Sequence, residues 1–430
     1  MSTEMSLIAE RARKDKGIAF HSLNQYITAE LLINCYYKLN KNSAAGTDGR
    51  NWYESDLMTD EPAKELLNEF KTGKYRAPSI RRVYVPKDKT SKRPIGIPTI
   101  RDKVLQSAVL SVLDPIYEED FKDFSYGFRR KRSAHQAIDY MFKEVSFEGM
   151  RYIIDADIKN YFGSMDHGIL REFIARRVND GVICKMIDKW LKAGILEDGQ
   201  LSYPTEGSPQ GGIISPILSN IFLHYVLDVW FSEEIQPLLK GKSFIVRYAD
   251  DFIIGFSDEK DAKRVMNVLP KRFEKYKLTL HPEKTKLIDL GCKSGQGERS
   301  FDFLGFTHYL SKSSKGKTVL KRKTSKKKFT KALLATDKWI RENRNLGIKE
   351  LITELNVKLR GHYNYYGLTF NSVGISQYYH EVKIRLHKWL NRRGGKQVWP
   401  WDKFIILVRT WIPLLLPKLS HSSTVQRIQK

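Results

Sequence analysis

The sequence predicts an α+β chain that gives way to an α-helical C-terminal part. Short apolar runs rich in Val, Ile and Phe alternate with amphipathic helical segments up to about residue 306, and after a basic stretch the periodicity becomes helical. The strongest strand signal is Phe244-Ile-Val-Arg-Tyr-Ala-Asp-Asp-Phe-Ile-Ile-Gly-Phe256. It reads as two buried strands joined by a tight turn that carries Asp250 and Asp251.

The first 40 residues are read as helical from Ile27, Leu31, Leu32, Cys35, Tyr36 and Leu39, until Ser43-Ala-Ala-Gly-Thr-Asp-Gly49 breaks the pattern as a loop. Arg82-Val-Tyr-Val85, a basic turn over 86–92 and Arg93-Pro-Ile-Gly-Ile97 read as strand, turn and strand. Val104, Leu105, Ala108, Val109, Val112 and Leu113 predict a helix over 102–113. Arg151-Tyr-Ile-Ile-Asp-Ala-Asp157 is a short strand ending in carboxylates. A loop over 206–212 opens a second helix with a wide apolar face from Ile217 to Val229. The Asp-Asp hairpin, a helix over 261–276 and the strand Phe301-Asp-Phe-Leu-Gly-Phe306 follow, with the helices expected on one face of the sheet. A basic linker then leads to helices over 329–344, 348–363 and 377–392.

The net charge of +25 sits mainly at one end. Residues 312–430 hold 27 Lys and Arg against 6 acids, a balance of +21, which leaves +4 for the rest of the chain. Ten of the twenty residues over 312–331 are basic and none is acidic, the footprint of a phosphate-backbone binder. Cys35, Cys184 and Cys292 are too scattered for a zinc pattern or a disulfide framework and read as reduced packing residues. No apolar run approaches the roughly 18 residues of a membrane span. Met1-Ser-Thr-Glu-Met-Ser lacks a signal-peptide layout, so the expectation is a cytoplasmic protein with no membrane partner.

Carboxylates at a strand end and at a hairpin tip, on separate stretches of chain, suit a site that brackets a phosphoryl displacement between two divalent ions. Asp157, Asp250 and Asp251 supply that set if their strands are neighbours. Spacing alone leaves a solvated hairpin tip as the alternative. The surrounding blocks decide the matter: Arg93-Pro-Ile-Gly-Ile-Pro98, Ser125-Tyr-Gly-Phe-Arg129, Asp157-Ile-Lys-Asn-Tyr-Phe-Gly-Ser-Met-Asp-His167, Gly207-Ser-Pro-Gln-Gly-Gly-Ile-Ile-Ser-Pro216, Arg247-Tyr-Ala-Asp-Asp251, His281-Pro-Glu-Lys-Thr285 and Phe303-Leu-Gly-Phe306. In this order they resemble the reverse transcriptases encoded by bacterial group II introns. Arg360-Gly-His-Tyr-Asn-Tyr-Tyr-Gly367 resembles the maturase, or thumb, region of that family.

The resemblance implies a right-hand polymerase fold, with an N-terminal extension and start of fingers over 1–80 and a fingers and palm domain over 81–310. It also implies a basic linker and helical thumb over 311–393, and a short, DNA-binding C-terminal segment over 394–430. Asp157, Asp250 and Asp251 become the catalytic metal ligands for two Mg²⁺ ions, with Mn²⁺ as a substitute. Lys87, Arg93, Phe162, Gln210 and Lys284 become contacts to the incoming dNTP, Phe162 by excluding a ribose 2′-hydroxyl. Asp155 lies outside the matched motif and is expected to act structurally or at one remove. Lys321, Arg322, Lys323, Lys326, Lys327, Lys328, Arg360, Tyr365 and Tyr366 are the expected nucleic-acid contacts.

The implied partners are an RNA template with a DNA or RNA primer, dNTPs, group II intron RNA and a DNA target. No Cys follows Cys292, so the paired-cysteine His-Asn-His endonuclease of larger family members is not expected. Two other readings stay open at this stage: a non-catalytic RNA-binding splicing maturase, and a domesticated, CRISPR- or defence-associated reverse transcriptase.

Overall fold

Apolar faces on α1 (Thr3–Lys14), α2 (Ala29–Lys38) and α3 (Asp60–Lys71) wrap a helix that has almost no exposed side, α4 (Ile100–Asp120). The computed structural model describes residues 3–57, 59–86, 92–197, 199–203, 206–207, 211–292, 297–393 and 399–420. Thr28 and Thr99 start α2 and α4 by accepting from the backbone N–H of Leu31 and Asp102. The helix expected over 102–113 is therefore longer at both ends.

β1 (Ile80–Pro86) and β2 (Lys92–Ile97) form the expected antiparallel pair. After α5 (Ala134–Phe147), β3 (Tyr152–Ala156), α6 (His167–Ala175) and α7 (Gly181–Leu191), a short hairpin of β4 (Ile195–Glu197) and β5 (Gln200–Ser202) returns to it. β4 pairs in parallel with β1, giving a fingers sheet in the order β2-β1-β4-β5. The boundary expected at 80/81 thus falls inside β1.

α8 (Ser215–Leu223) continues through two π turns, His224–Asp228 and Trp230–Ile235. β6 (Ser243–Tyr248), β7 (Asp251–Phe256), α9 (Glu259–Lys275) and β8 (Lys286–Asp289) complete an antiparallel palm sheet in the order β6-β7-β3-β8. Alternate residues of this sheet enter two cores. Ile154, Ile245, Phe252 and Ile254 pack with α4, α6, α8 and α9, whereas Ile153, Phe244, Val246, Ile253 and Ile288 pack with Met141 and Phe142 of α5. Both faces are covered, not one, because α5 and the next sheet close the second side.

That sheet, β11 (Thr318–Thr324), β10 (Phe306–Lys312) and β9 (Ser300–Phe303), corrects two expectations. The strand expected over 301–306 breaks at Leu304 and Gly305, both at positive φ (50° and 82°), so that β9 and β10 form a hairpin. The basic linker is itself the β10–β11 hairpin, and the expected 310/311 boundary falls inside β10.

α10 (Lys326–Glu342), α11 (Ile348–Tyr366), α12 (Ser372–Leu390) and α13 (Trp401–Ile406) build the helical thumb. Phe404, Leu407, Val408 and Leu414 are buried in the same core as Leu355, Leu359 and Val382. Residues 399–420 of the expected C-terminal segment accordingly pack into the thumb core. Among the described residues no helix is long and apolar enough to cross a membrane, and Cys35, Cys184 and Cys292 are all free thiols.

Candidate active site

Strand register brings the acids together. Ala156 at the end of β3 lies opposite Phe252 of β7, so the next residue, Asp157, comes beside Asp251. On the other side Tyr248 pairs with Asp251, which closes the β6–β7 hairpin over only Ala249 and Asp250. Two-residue hairpins favour positive φ at their central positions, usually with glycine there. Ala249 adopts it, at φ 59°.

The segment after α9 is fastened to the same strand end. His281 N donates to the Asp157 carbonyl at 2.7 Å, and Lys284 N and Thr285 N donate back to the His281 carbonyl in a turn. The turn lays Lys284 along the site, where its Nζ sits 2.5 Å from Asp157 Oδ2. In this structure Lys284 is an ion-pair partner of Asp157. Lys286, at the start of β8, is similarly engaged with Glu298 at 2.5 Å.

Negative charge is in excess here. Desolvation, then the charges of Asp250 and Asp157, push the Asp251 carboxyl up to about 6, while Lys328 and Arg93 oppose the rise. Asp251 faces the open cleft, so water tempers the desolvation share, and the like charges are the firmer cause. Burial, then the charges of Asp251, Asp302 and Asp157, raise Asp155 to about 7. Asp155 and Asp157 lie on one face of the strand, and with Asp251, Lys284 and Asp302 they line a cavity of about 470 Å³. Among the described residues no three His, Cys, Asp or Glu side chains close on one point as a ready cage. The donors nonetheless fit a hard divalent cation: all are carboxylate oxygens, mutually repelling, and one already holds an ammonium.

Arg93 is exposed on β2, and its charge reaches Asp251. Phe162 follows Asp157 by a left-handed Asn160 and a 3₁₀ turn, Tyr161–Gly163. Its ring is half-buried against Tyr161, with centroids 5.4 Å apart. Gly207 and Gly211, at the ends of the glycine-rich loop, meet this turn and the fingers respectively. Gly207 N donates to the Met165 carbonyl and His167 holds the Gly207 carbonyl, while a side chain on Gly211 would come within 2.3 Å of the Gly96 carbonyl of β2. Past the glycines, Ile214 N is received by Gln106 of α4 at 3.3 Å. Lys87 and Gln210 lie outside the described residues.

The expected nucleic-acid contacts divide. Lys323, Lys326, Lys327, Lys328 and Arg360 are exposed, and Lys321 is half-buried beside the Phe370 ring. Lys326, Lys327 and Lys328 open α10, whose first turn holds no acid, so their charges oppose the helix dipole. Arg322 is buried, 1% exposed, 3.6 Å from Asp139 and over the Phe142 ring, because β11 turns alternate residues inward. It is a core residue, which corrects the expectation of a phosphate contact. Tyr365 and Tyr366 are half-buried joints between thumb and palm. The Tyr365 hydroxyl donates to the Leu304 carbonyl at 2.8 Å, its own carbonyl meets His135 at 2.9 Å, and both rings pack on Phe306. Ser325 N donates to the Gly305 carbonyl at 3.0 Å, and buried Asn371 ties Thr324 to the Tyr366 carbonyl. Behind the hairpin, sequence reasoning assigned no role to Arg247, Asn220 or Asp228; an arginine inside the apolar strand Ser243–Tyr248 was the available signal.

Comparison with known proteins agrees with this geometry. A family described as Reverse transcriptase (RNA-dependent DNA polymerase) matches residues 85–308, and one described as Group II intron, maturase-specific domain matches residues 326–404. The chain is similar to the Group II intron-encoded protein LtrA of Lactococcus lactis subsp. cremoris, with 30% identity over 85% of this chain and 73% of that protein. It is also similar to Protein YkfC of Escherichia coli K12, with 34% identity over 49% of this chain and 62% of that one. A third relative, the Putative COX1/OXI3 intron 1 protein of Saccharomyces cerevisiae, is 26% identical over 80% of this chain and 49% of its own length.

Proposed function

The chain belongs to the group II intron-encoded reverse transcriptase/maturase family, RNA-directed DNA polymerases that depend on divalent metal, and from that premise we propose how its residues divide the work. Asp157, Asp250 and Asp251 hold two Mg²⁺ ions at the meeting of β3 and the β6–β7 turn. The observation that carries this is the register that sets Asp157 beside Asp251, in a pocket with more negative charge than its own cations balance. When bound, such ions lower the pKa of a primer 3′-hydroxyl and neutralise the triphosphate.

The chain's own groups do the rest. Arg93, with Lys87, takes the triphosphate, its planar fork fixing geometry as well as charge. Phe162 packs where a ribose 2′-hydroxyl would project, favouring deoxynucleotides, and Gln210 lies between glycines that let the backbone approach the nascent pair. Lys323, Lys326, Lys327, Lys328 and Arg360 grip the phosphates of the RNA template and its primer, and the same basic thumb receives intron RNA and target DNA. The start of α10 suits a phosphate twice over, through its lysines and its free N–H groups. The enzyme works where its transcript is made, in the cytoplasm.

The test is Mg²⁺-dependent dNTP incorporation on an RNA template with an annealed primer, comparing wild type with Asp251→Ala at matched folding. Template-length cDNA from wild type alone, with intron-RNA affinity within a few-fold in both, is expected. Template-length cDNA from a folded Asp251→Ala as well as from wild type would refute the assignment.

A further inference from the structure

The turn that presents Asp250 and Asp251 is an improbable one for its sequence. Ala249 sits at φ 59°, where a side chain is disfavoured. The compensation comes from behind. Arg247, two residues earlier on β6, turns inward, and its Nη1 donates to the Ala249 carbonyl at 3.0 Å. Its other nitrogens form a fork on Asp228, Nε to Oδ1 at 2.7 Å and Nη2 to Oδ2 at 2.5 Å, and both side chains are 0% exposed.

Asp228 reaches this position because α8 widens into a π turn over His224–Asp228, which Arg272 of α9 pins by donating to the carbonyls of Tyr225 and Val226. π turns inside helices concentrate at functional sites. Asn220, on the same helix, accepts from Arg247 Nη1 at 2.9 Å and donates to the Gly127 carbonyl at 2.8 Å. Gly127 in turn is pressed so closely on the hairpin that a Cβ there would lie 2.2 Å from Ala249 N. The turn is held on its carbonyl side by the guanidinium and on its N–H side by the 124–127 segment, which also pairs with Arg247 through Tyr126 N and the Phe124 carbonyl.

We propose that Asp228, Arg247 and Asn220 form a buried brace that holds Ala249 left-handed and so sets the Asp250 and Asp251 carboxylates for nucleotidyl transfer, which makes them positioning residues for the reaction. This rests on the polymerase reading above. An ion pair kept only for stability needs Asp228 and Arg247 alone; the third donation to the Ala249 carbonyl and the link through Asn220 to Gly127 are what tie it to the turn. Buried polar networks of this kind specify one local conformation when every member is satisfied.

The paired variant Asp228→Asn/Arg247→Gln removes the charged fork without stranding a charge, and Asn220→Ala leaves the ion pair in place as a milder second variant. Single-nucleotide incorporation, the Mg²⁺ concentration for half-maximal rate, intron-RNA affinity and the thermal midpoint are measured for each. Displacing reacting groups by about 1 Å lowers rates by about 100-fold. The paired variant is therefore expected to lose about 10–100-fold in kcat and to need more Mg²⁺, with KM for dNTP and RNA affinity within about threefold of wild type. Asn220→Ala is expected to move in the same direction by a smaller factor, with a lowered thermal midpoint but a fold kept at the assay temperature.

A folded Asn220→Ala that matches wild type in kcat and Mg²⁺ requirement would overturn the brace, whatever the paired variant does. So would a parallel fall in kcat, RNA affinity and folded fraction in both variants. A wild type that extends no primer on RNA would instead overturn the polymerase reading, and the positioning role with it.

Discussion

Replacing Gly127 by alanine tests how finely the hairpin is set, because the added methyl is small and its collision is with backbone. Its position is known: 2.2 Å from Ala249 N, 2.9 Å from the Tyr248 carbonyl carbon and 3.0 Å from Ala249 Cα. Ordinary contact between such atoms needs about 3.5 Å, so one side must retreat by roughly 1.3 Å. The 127 side is anchored, by Asn220 on the Gly127 carbonyl, by Tyr126 N donating to the Arg247 carbonyl and by the Phe124 carbonyl accepting from Arg247 N. The hairpin tip, tied to the brace through the Ala249 carbonyl, is the part that shifts. Functional constellations tolerate about 0.5 Å, and a displacement of about 1 Å costs about 100-fold in rate. Gly127→Ala is expected to lower kcat for single-nucleotide incorporation by about that factor, to lose about 1–3 kcal/mol of stability from overpacking, and to keep RNA affinity, which we assign to the basic thumb. Gly181→Ala, where an added methyl meets nothing within 4 Å, serves as the control and should leave the rate alone. A folded Gly127→Ala within threefold of wild type would refute the reasoning.

Phe162→Ala is expected to erode selection of dNTP over rNTP by about 10–100-fold in the ratio of kcat/KM values; an unchanged ratio with a lowered thermal midpoint would make the ring a packing residue only. Changing Lys326, Lys327 and Lys328 together to Gln should flatten the salt dependence of RNA binding by about 2–3 in log–log slope and slightly raise stability by relieving the dipole clash. Arg322→Met should do the reverse, altering stability with the slope intact, and a changed slope would return it to the binding surface. Burial first, and the Arg322 charge second, hold His308 neutral, with its pKa lowered to about 3. Below pH 6.5 the unfolded chain takes a proton that the fold refuses, so wild type loses about 1.4 kcal/mol per pH unit from 6.5 down towards 3, a loss that His308→Gln escapes. Denaturant titrations at pH 7 and 5 should therefore bring the variant closer to, or above, wild type at the lower pH; a constant gap would refute a neutral buried histidine.

The acids were legible in the sequence because the ordered motifs around them stood in for the register that sets Asp157 beside Asp251. Helices with strong apolar faces, such as α9 and α10, were legible for the same reason their cores exist. What failed was inference from charge alone. Counting lysines and arginines over 312–331 cannot tell which of them a strand turns inward, and only pairing, with His308 opposite Arg322, decides that Arg322 is core while Lys323 is not. Lys284 was visible as a cation near the site, but the turn that points it at Asp157 depends on a backbone bond from His281 to a strand 124 residues earlier. Short strands such as β4 and β5 carry too few residues for a period to register.

The joint between thumb and palm bears on how the enzyme advances. The Leu304–Gly305 turn is held from the thumb side by Tyr365 and Ser325, and Asn371 ties the end of β11 to the end of α11. A joint welded at three places, with Phe306 wedged between the two tyrosines' rings and the sheet, leaves little room for the helices to swing as a paddle. A thumb so tied favours a duplex that moves past it over helices that travel with the duplex. Long, flexible lysines at the mouth of α10 suit that motion, since each can release one phosphate and take the next while the frame behind it stays still.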